Sequence, residues 1–214
     1  FPVPDADTGT NLHLTLESAV RPDGDERAIL DSADLAGTAT EMARLALLGA
    51  RGSSGVILSQ LLRGVAEVLA AERRPPRGLG LARALEQASA LAYAAVSQPV
   101  EGTMLTVARA AAEAARATGS DDLHVVAEAA ATAARRALAV TPEQLDVLGR
   151  AGVVDAGGRG VVVLLDVLQV VVEERPLPAT QPSIAHPRLD ALDAGLGAVP
   201  GVAPGGAQVY EVMY

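Results

Sequence analysis

The amino-acid sequence predicts an all-α fold, a bundle of antiparallel helices. Half of the residues are hydrophobic but only 2% are aromatic, so alanine, leucine and valine must supply the core. Alanine and leucine are strong helix formers, and small side chains let helices approach closely. Apolar residues also recur at helical spacing, and glycine or proline separates successive periodic segments. With 214 residues, the chain is long enough for one large domain.

Seven full helices and one short helical turn are predicted, each delimited by capping or helix-breaking residues. Gly49 ends the second helix, Pro75 and Pro76 follow the third, and Thr141-Pro142 marks the short turn. The predicted helices cover residues 11–21, 33–48, 53–72, 79–97, 103–118, 121–139 and 158–174, and the short turn covers 142–150.

The composition changes after Glu174. We expect residues 1–174 to form the helical domain, and residues 175–208, which are rich in proline and glycine, to form a linker or extended arm. Residues 209–214 resemble the first strand of a following domain. The chain starts inside a motif and without methionine, so we also expect residues before Phe1.

Charge and composition exclude several classes of protein. The net charge of −9 and the pI of about 4.8 argue against a nucleic-acid partner. All 17 basic residues are arginines, which excludes the phosphate-binding lysine of P-loop proteins and protein kinases. Without cysteine, thiolate chemistry and Cys-based zinc sites are excluded. The longest apolar run, residues 160–172, is too short for a membrane span and no signal peptide is visible, so we expect a cytoplasmic protein.

Residues 1–11 carry the most informative chemistry. Asp5 and Asp7 are one residue apart in a proline-containing segment, where both carboxylates can offer oxygen ligands to magnesium or calcium. Thr10 or Asn11 is expected to cap the following helix, which leaves backbone N–H groups for an anion. The same residues also fit an ordinary Asx-turn and helix cap, so this stretch alone leaves both interpretations open.

Three more glycine-bearing segments, residues 49–55, 100–104 and 154–160, precede predicted helices. Such segments can present N–H and hydroxyl groups to phosphate oxygens, although each alone also fits a tight interhelical connection. In an up-and-down bundle alternate helices begin at the same end. If residues 142–150 form only a short turn, four such helix starts are expected to converge on one rim.

Electrostatics indicates what such a rim would bind. Asp5 and Asp7 would repel the phosphates of a nucleoside triphosphate, at about 3 kcal/mol per charge pair for about 5 Å and an effective dielectric near 20. Divalent cations must therefore lie between them, and magnesium fits a site with few carboxylates. Arg51 or Arg159 could stabilise a transferring phosphoryl group, although each also fits a surface arginine. An adenine would rest on aliphatic side chains such as Met104, because aromatic residues are scarce.

Together the four motifs resemble the ATP-binding (DhaL-like) domain of the dihydroxyacetone kinase family, in particular the N-terminal kinase domain of bacterial fatty acid kinase. The motifs are FPVPDADTGTN at 1–11, GARGSSGVILSQ at 49–60, PVEGTMLT at 99–106 and GVVDAGG at 152–158. The resemblance covers about residues 1–174. It implies an antiparallel eight-helix barrel with a nucleotide and two magnesium ions at one rim. The seven predicted helices and one expected before Phe1 agree with that number.

The resemblance also implies roles for single residues. Asp5 and Asp7 would be the catalytic pair that holds the metal ions. Ala6 and Ser53 stand where relatives usually have glycine and asparagine, and both changes are mild. The family draws a further metal-proximal side chain from the segment upstream of Phe1. The nucleotide would be bound by Thr8, Gly9, Thr10, Asn11, Gly52, Ser53, Ser54, Gly55, Thr103, Met104, Asp155 and Gly157.

The expected activity is transfer of the ATP γ-phosphoryl group to a fatty acid on a separate fatty-acid-binding carrier protein, giving an acyl phosphate. A carboxylate acceptor is already deprotonated, so no general base is required. One alternative is a kinase for a small hydroxylated substrate such as dihydroxyacetone, which does need a base. Another is a non-catalytic helical adaptor that binds nucleotide. A homodimer could form through the following domain.

Overall fold

The structure is a computed structural model that describes residues 7–20, 34–72 and 76–176. These residues contain seven helices of 13 to 20 residues, two short helices and no strand. The chain divides into two compact units, Phe1–Pro176 and Leu177–Tyr214, and every described residue belongs to the first. The helices are α1 (Thr8–Val20), α2 (Leu35–Leu48), α3 (Gly52–Ala71), α4 (Gly78–Ala94), α5 (Met104–Ala117), α6 (Leu123–Ala139), α7 (Thr141–Gln144), α8 (Asp146–Ala151) and α9 (Ala156–Val172).

The all-α prediction is confirmed, but the start of the first helix differs. α1 begins at Thr8 instead of residue 11, because the carbonyl of Asp7 already accepts a hydrogen bond from the N–H of Asn11 at 2.7 Å. Thr10 and Asn11 therefore lie inside the first turns, and the prediction that one of them caps the helix is wrong. Asp5, most of the predicted linker 175–208 and the predicted strand 209–214 lie outside the described residues.

Three later boundaries also differ from prediction, each for a local reason. α9 begins two residues early because the carboxylate of Asp155 caps it, accepting the N–H of Gly158 at 2.6 Å. α4 ends at Ala94 instead of residue 97, ahead of Pro99, which disfavours helix in the residue before it. The predicted turn at 142–150 is two short helices, separated by the extended backbone of Leu145.

The seven long helices form a closed ring. Each of α1 to α6 packs against the next in sequence, α6 packs against α9, and α9 packs against α1. Additional contacts join α5 with α9, α1 with α3 and α4 with α6. The result is an all-α bundle, as the sequence predicts; the described residues supply seven long helices of the predicted eight, and the neighbours α1 and α9 both begin at the same end.

Alanine dominates the interior, as the composition predicts. More than half of the buried apolar residues in the described part of the chain are alanines, and α5 and α6 bury four each. The backbones of α3 and α4 approach closely where a Cβ on Gly64 would lie 2.4 Å from backbone atoms of Ala88. Small side chains at these positions let the helix backbones approach, so the ring closes around a narrow core.

One helix of the described residues, α3, is long and apolar enough to cross a membrane by length and composition alone. The sequence analysis considered only the run at 160–172, so it did not identify this helix. In the structure α3 packs against α1, α2 and α4 and buries Ile57 and Leu58. A core helix passes the same test of length and composition, so the absence of a membrane span stays a prediction.

Candidate functional site

Four helices begin at one end of the bundle, which we call the rim. The starts of α1 and α3 meet where a Cβ on Gly52 would lie 2.7 Å from Nδ2 of Asn11. The starts of α5 and α9 meet where a Cβ on Gly157 would lie 3.1 Å from Sδ of Met104. α9 also touches α1, because a Cβ on Gly160 would come within 2.4 Å of Leu12. The predicted convergence of the four helix starts is therefore found.

The starts of α4 and α6 meet at the opposite end of the bundle. The N–H of Gly78, the first residue of α4, donates to the carbonyl of Asp121 at 3.0 Å, just before α6. Arg77 also pairs with the carboxylate of Asp121 at 2.8 Å. The helices thus alternate in direction, and the four glycine-bearing motifs share the rim.

A cavity of about 290 Å³ opens beside the rim, lined mainly by α1 and α9, with one side chain each from α3 and α5. Gly9 and His13 of α1 and Arg159 of α9 are on its exposed side. Leu58 of α3 and Met104 of α5 form part of its apolar lining. The volume lies near the lower end of small-molecule sites, which span about 300–1,000 Å³. It suits a compact apolar group beside polar groups at the mouth.

The start of α1 places a hydroxyl-rich first turn at the rim. Asp7 directly precedes the helix and is exposed, while Thr8 is buried and Gly9 and Thr10 are exposed. Asn11 reaches the first residue of α3. Asp7 therefore stands where a carboxylate can meet both a helix N-terminus and solvent, and its predicted partner Asp5 is outside the described residues.

The start of α3 is held by a buried threonine of α1. Thr15 is fully buried, donates to the carbonyl of Asn11 at 2.7 Å and accepts the N–H of Arg51 at 3.1 Å. Arg51 supplies no side-chain cap, so the first N–H groups of α3 lack the usual capping oxygen. Gly52 is exposed and Ser53 is half-buried, so the beginning of this turn faces the rim.

Deeper in the same turn, Ser54 and Gly55 are buried. A Cβ on Gly55 would lie 2.5 Å from the hydroxyl oxygen of Thr15, so Gly55 packs directly against α1. Of the predicted phosphate-binding residues in α3, the structure thus exposes Gly52 and partly Ser53, and places Ser54 and Gly55 in the contact between the helices.

At the start of α5, Thr103 caps the helix and Met104 lines the cavity. Thr103 is buried, caps α5 by accepting the N–H of Leu105 at 3.4 Å, and donates to the carbonyl of Val100 at 2.8 Å. Met104 is buried, lines the cavity and contacts Gly157. The residue predicted to border a nucleotide base therefore does lie at the cavity.

The start of α9 is fixed to the short helices between α6 and α9. Asp155 is buried, caps α9, and donates its N–H to Thr141 Oγ1 at 3.1 Å. Thr141 is itself fully buried and donates to the carbonyl of Leu138 at 2.8 Å. Gly157 is buried against Met104. Asp155 thus has a clear capping function beside the cavity.

Sequence reasoning missed a polar network around Glu101, in the loop before α5. Its carboxylate accepts hydrogen bonds from Arg109 at 2.8 and 2.7 Å, from Thr106 at 2.6 Å and from Tyr93 at 3.2 Å. Partial burial alone would raise the pKa of Glu101, but the hydrogen bonds from Thr106 and Arg109 outweigh it and lower that pKa. In the sequence, Arg109 follows the loop residue Glu101 by eight positions. Only the fold brings the two side chains together.

Positive charge at the rim comes from two arginines without ion pairs. Within the described part of the chain, Arg51 and Arg159 form no salt bridge, whereas Arg109, Arg116 and Arg135 do. Both are exposed, and Arg159 lines the cavity. Over residues 7–20, 34–72 and 76–176, no three histidine, aspartate or glutamate side chains cluster as a ready-made metal site. A cation here would take Asp7 with hydroxyls, phosphate oxygens and water, a donor set that suits magnesium.

The profile of the DAK2 domain matches residues 2–169 of the chain. The chain belongs to the DAK2 domain family. Its relatives include protein YloV of Bacillus subtilis (strain 168), which is 41% identical over 168 residues. An uncharacterized protein of Staphylococcus aureus (strain USA300) is 40% identical over 168 residues, as is one of strain NCTC 8325. These alignments cover 78% of this chain and 30% of each relative, so the chain spans less than a third of their length.

The match confirms the predicted resemblance at the level of the family. A DAK2 domain is DhaL-like, is associated with kinase activity and implies ATP binding in general. The names of the relatives specify no substrate, so the narrower similarity to fatty acid kinase remains a prediction. On the family match and the rim geometry together, the cavity lined by residues of α1, α3, α5 and α9 is the candidate functional site.

Proposed function

We propose that this DAK2 domain is the ATP-dependent phosphotransferase domain of a longer protein, with its active centre at the rim. The observation that carries the proposal is the meeting of four helix N-termini at one rim, beside a cavity lined mainly by α1 and α9, with the exposed Asp7 directly before α1. Helix N-termini favour anions through unpaired N–H groups and the helix dipole. Thr103 and Asp155 cap α5 and α9, whereas α3 begins without a side-chain cap. The four helix dipoles together favour a ligand with several negative charges.

The described residues fit a nucleotide bound with metal. Gly52 and Ser53, in the first turn of α3, offer N–H groups and a hydroxyl to phosphate oxygens, and Met104 offers an apolar surface to a base. Asp7 would hold magnesium with phosphate and water oxygens, and Asp5 is proposed as the second carboxylate. When bound, two magnesium ions would neutralise the phosphates and stabilise charge on the transferred group.

For the acceptor, we propose a fatty acid carboxylate presented by a separate fatty-acid-binding carrier protein. A carboxylate needs no deprotonation, so the rim has only to position the groups and neutralise charge. The resemblance to fatty acid kinase supports this acceptor. The second candidate is a small hydroxylated substrate such as dihydroxyacetone, which the dihydroxyacetone kinase family favours. Cytoplasmic location and a homodimer through a following domain belong to the same proposal.

The first experiment tests nucleotide use in the full-length protein. We expect magnesium-dependent binding of ATP by calorimetry, and we expect Asp7→Asn to abolish turnover while the far-UV circular dichroism stays unchanged. Asp122→Asn is the matched control, because Asp122 also stands before a helix but at the opposite end of the bundle. Full activity of Asp7→Asn would contradict the metal role, and binding without turnover in the wild type would favour an adaptor.

The second experiment identifies the acceptor. The protein is incubated with magnesium, radiolabelled ATP and either a fatty-acid-loaded carrier protein or dihydroxyacetone. Trapping the product with hydroxylamine distinguishes an acyl phosphate, which forms a hydroxamate, from a sugar phosphate, which does not. Label in the stable product alone would refute the fatty acid acceptor and favour the second candidate.

A further inference from the structure

In the loop between α4 and α5, one carboxylate, that of Glu101, accepts four hydrogen bonds. Glu101 accepts two hydrogen bonds from Arg109, one from Thr106 and one from Tyr93. The guanidinium of Arg109 also lies over the ring of Tyr93, with 5.4 Å from Cζ to the ring centroid. Residues of α4, of α5 and of their connection therefore converge on Glu101.

Thr106 connects Glu101 to the residues at the rim. Its hydroxyl donates to Glu101 at 2.6 Å and accepts the N–H of Gly102 at 2.9 Å. Gly102 has φ of +80°, and the next two residues are the cap of α5 and the cavity-lining Met104. A continuous path of hydrogen bonds and backbone thus joins Glu101 to the part of α5 that faces the cavity.

The ion pair itself is a weak candidate for a purely stabilising role. The side chains of Glu101 and Arg109 are 47% and 43% exposed, and such exposed pairs contribute little to folding. The hydrogen-bond geometry, in contrast, restricts the position of the Glu101 carboxylate, because it must accept both hydrogen bonds of a bidentate arginine and one from a threonine hydroxyl. The hydrogen bonds from Thr106 and Arg109 favour the ionised form of this carboxylate and lower the pKa of Glu101 below its usual value, against the opposing effect of burial.

We propose that Glu101 is a positioning residue for the nucleotide: through Thr106 and Gly102 it sets where Thr103 and Met104 stand at the rim. The inference rests on the proposed function, because it assumes that the cavity receives part of ATP. Glu101 does not touch the reacting atoms in this proposal. Its loss would displace the α5 side of the cavity and weaken nucleotide binding more than it slows phosphoryl transfer.

The test uses steady-state kinetics and calorimetry on the full-length protein with magnesium and ATP. Glu101→Gln keeps the shape of the side chain but loses the charge that Arg109 and Thr106 bind. Thr106→Val removes the bridging hydroxyl at nearly constant volume, whereas Thr106→Ser retains it. Glu86→Gln is the matched control, because Glu86 pairs with Arg116 across the same two helices, about 18 Å along α5 from Met104.

We expect Glu101→Gln and Thr106→Val each to raise the KM and Kd for ATP about fivefold or more, with a smaller change in kcat. Thr106→Ser and Glu86→Gln should stay within about twofold of the wild type. If Glu101→Gln does not fold, the two Thr106 variants give the same comparison. Lower melting temperatures with an unchanged KM and Kd would overturn the inference alone. Absence of ATP binding by the wild type would overturn the proposed function and this inference with it.

Discussion

Substitution of Gly102 by alanine tests how firmly the loop before α5 is constrained. Gly102 is buried and has φ of +80°, a conformation that costs an L-residue about 1–2 kcal/mol. Its new Cβ would also lie 3.0 Å from the Cβ atoms of Gln144 and Leu145, and 3.1 Å from the carbonyl oxygen of Thr141. Overpacking of this kind adds about 1–3 kcal/mol. We therefore expect Gly102→Ala to lower the free energy of unfolding by about 2–5 kcal/mol.

The chain contains a matched control for this prediction. Gly119 also has positive φ, at +57°, but a Cβ there would meet no heavy atom within 4 Å. Gly119→Ala should therefore show the backbone cost alone, about 1–2 kcal/mol. The difference between the two variants isolates the steric contribution of α7 and the residue that follows it.

Urea unfolding of the full-length protein, followed by the far-UV circular dichroism of the helical domain, measures both variants. Equal destabilisation of Gly102→Ala and Gly119→Ala would refute the steric part of the reasoning. A Gly102→Ala protein as stable as the wild type would refute the backbone part as well. Under the proposed function, Gly102→Ala should in addition raise the KM for ATP, and Gly119→Ala should not.

Two further predictions concern charge. Because hydrogen bonds lower the pKa of Glu101, its network stabilises the fold above the usual glutamate pKa of 4.5 and loses this contribution as the pH falls through the lowered value. The melting temperature of the wild type should therefore exceed that of Glu101→Gln at pH 7 and approach it in acid, and a gap that widens in acid would contradict this sign. Arg159→Gln should reduce ATP turnover about tenfold if that arginine stabilises the transferring phosphoryl group. Arg136→Gln is its control, since Arg136 is also exposed and without a salt bridge in the described structure but lines the outer groove between α5 and α6. Equal turnover by the two variants would show that Arg159 is an ordinary surface arginine.

Capping residues show how far local sequence information reaches. The sequence analysis located seven long helices because glycine, proline and capping residues separate stretches of helical periodicity. It placed the start of α1 at residue 11, because Thr10 and Asn11 are good capping residues and the carbonyl of Asp7 cannot be recognised as the first acceptor from sequence. It placed the start of α9 at residue 158, two residues late, because the cap by Asp155 is seen only from its hydrogen bond with the N–H of Gly158.

The candidate site divides in a similar way. Its four motifs and their common rim follow from loop positions and from the alternation of helix direction. Which residue of each motif is exposed at the rim does not follow from the sequence. In α3, for example, Ser54 and Gly55 are buried while Gly52 is exposed. The contact of Met104 with Gly157 and the bridge from Thr15 to Arg51 join residues at least 36 positions apart.

The sequence by itself therefore determined the helical class, the alanine-rich core, the approximate helix ranges and the motifs of a DAK2 domain. Each depends on residues within a few positions of one another, through backbone conformation, capping and periodicity. Only the tertiary structure decided that α9 closes the ring against α1, that a cavity opens beside the rim, and that four hydrogen bonds converge on Glu101 in the loop before α5. Those features depend on which side chains pack or pair across the bundle, and that depends on geometry between residues distant in sequence.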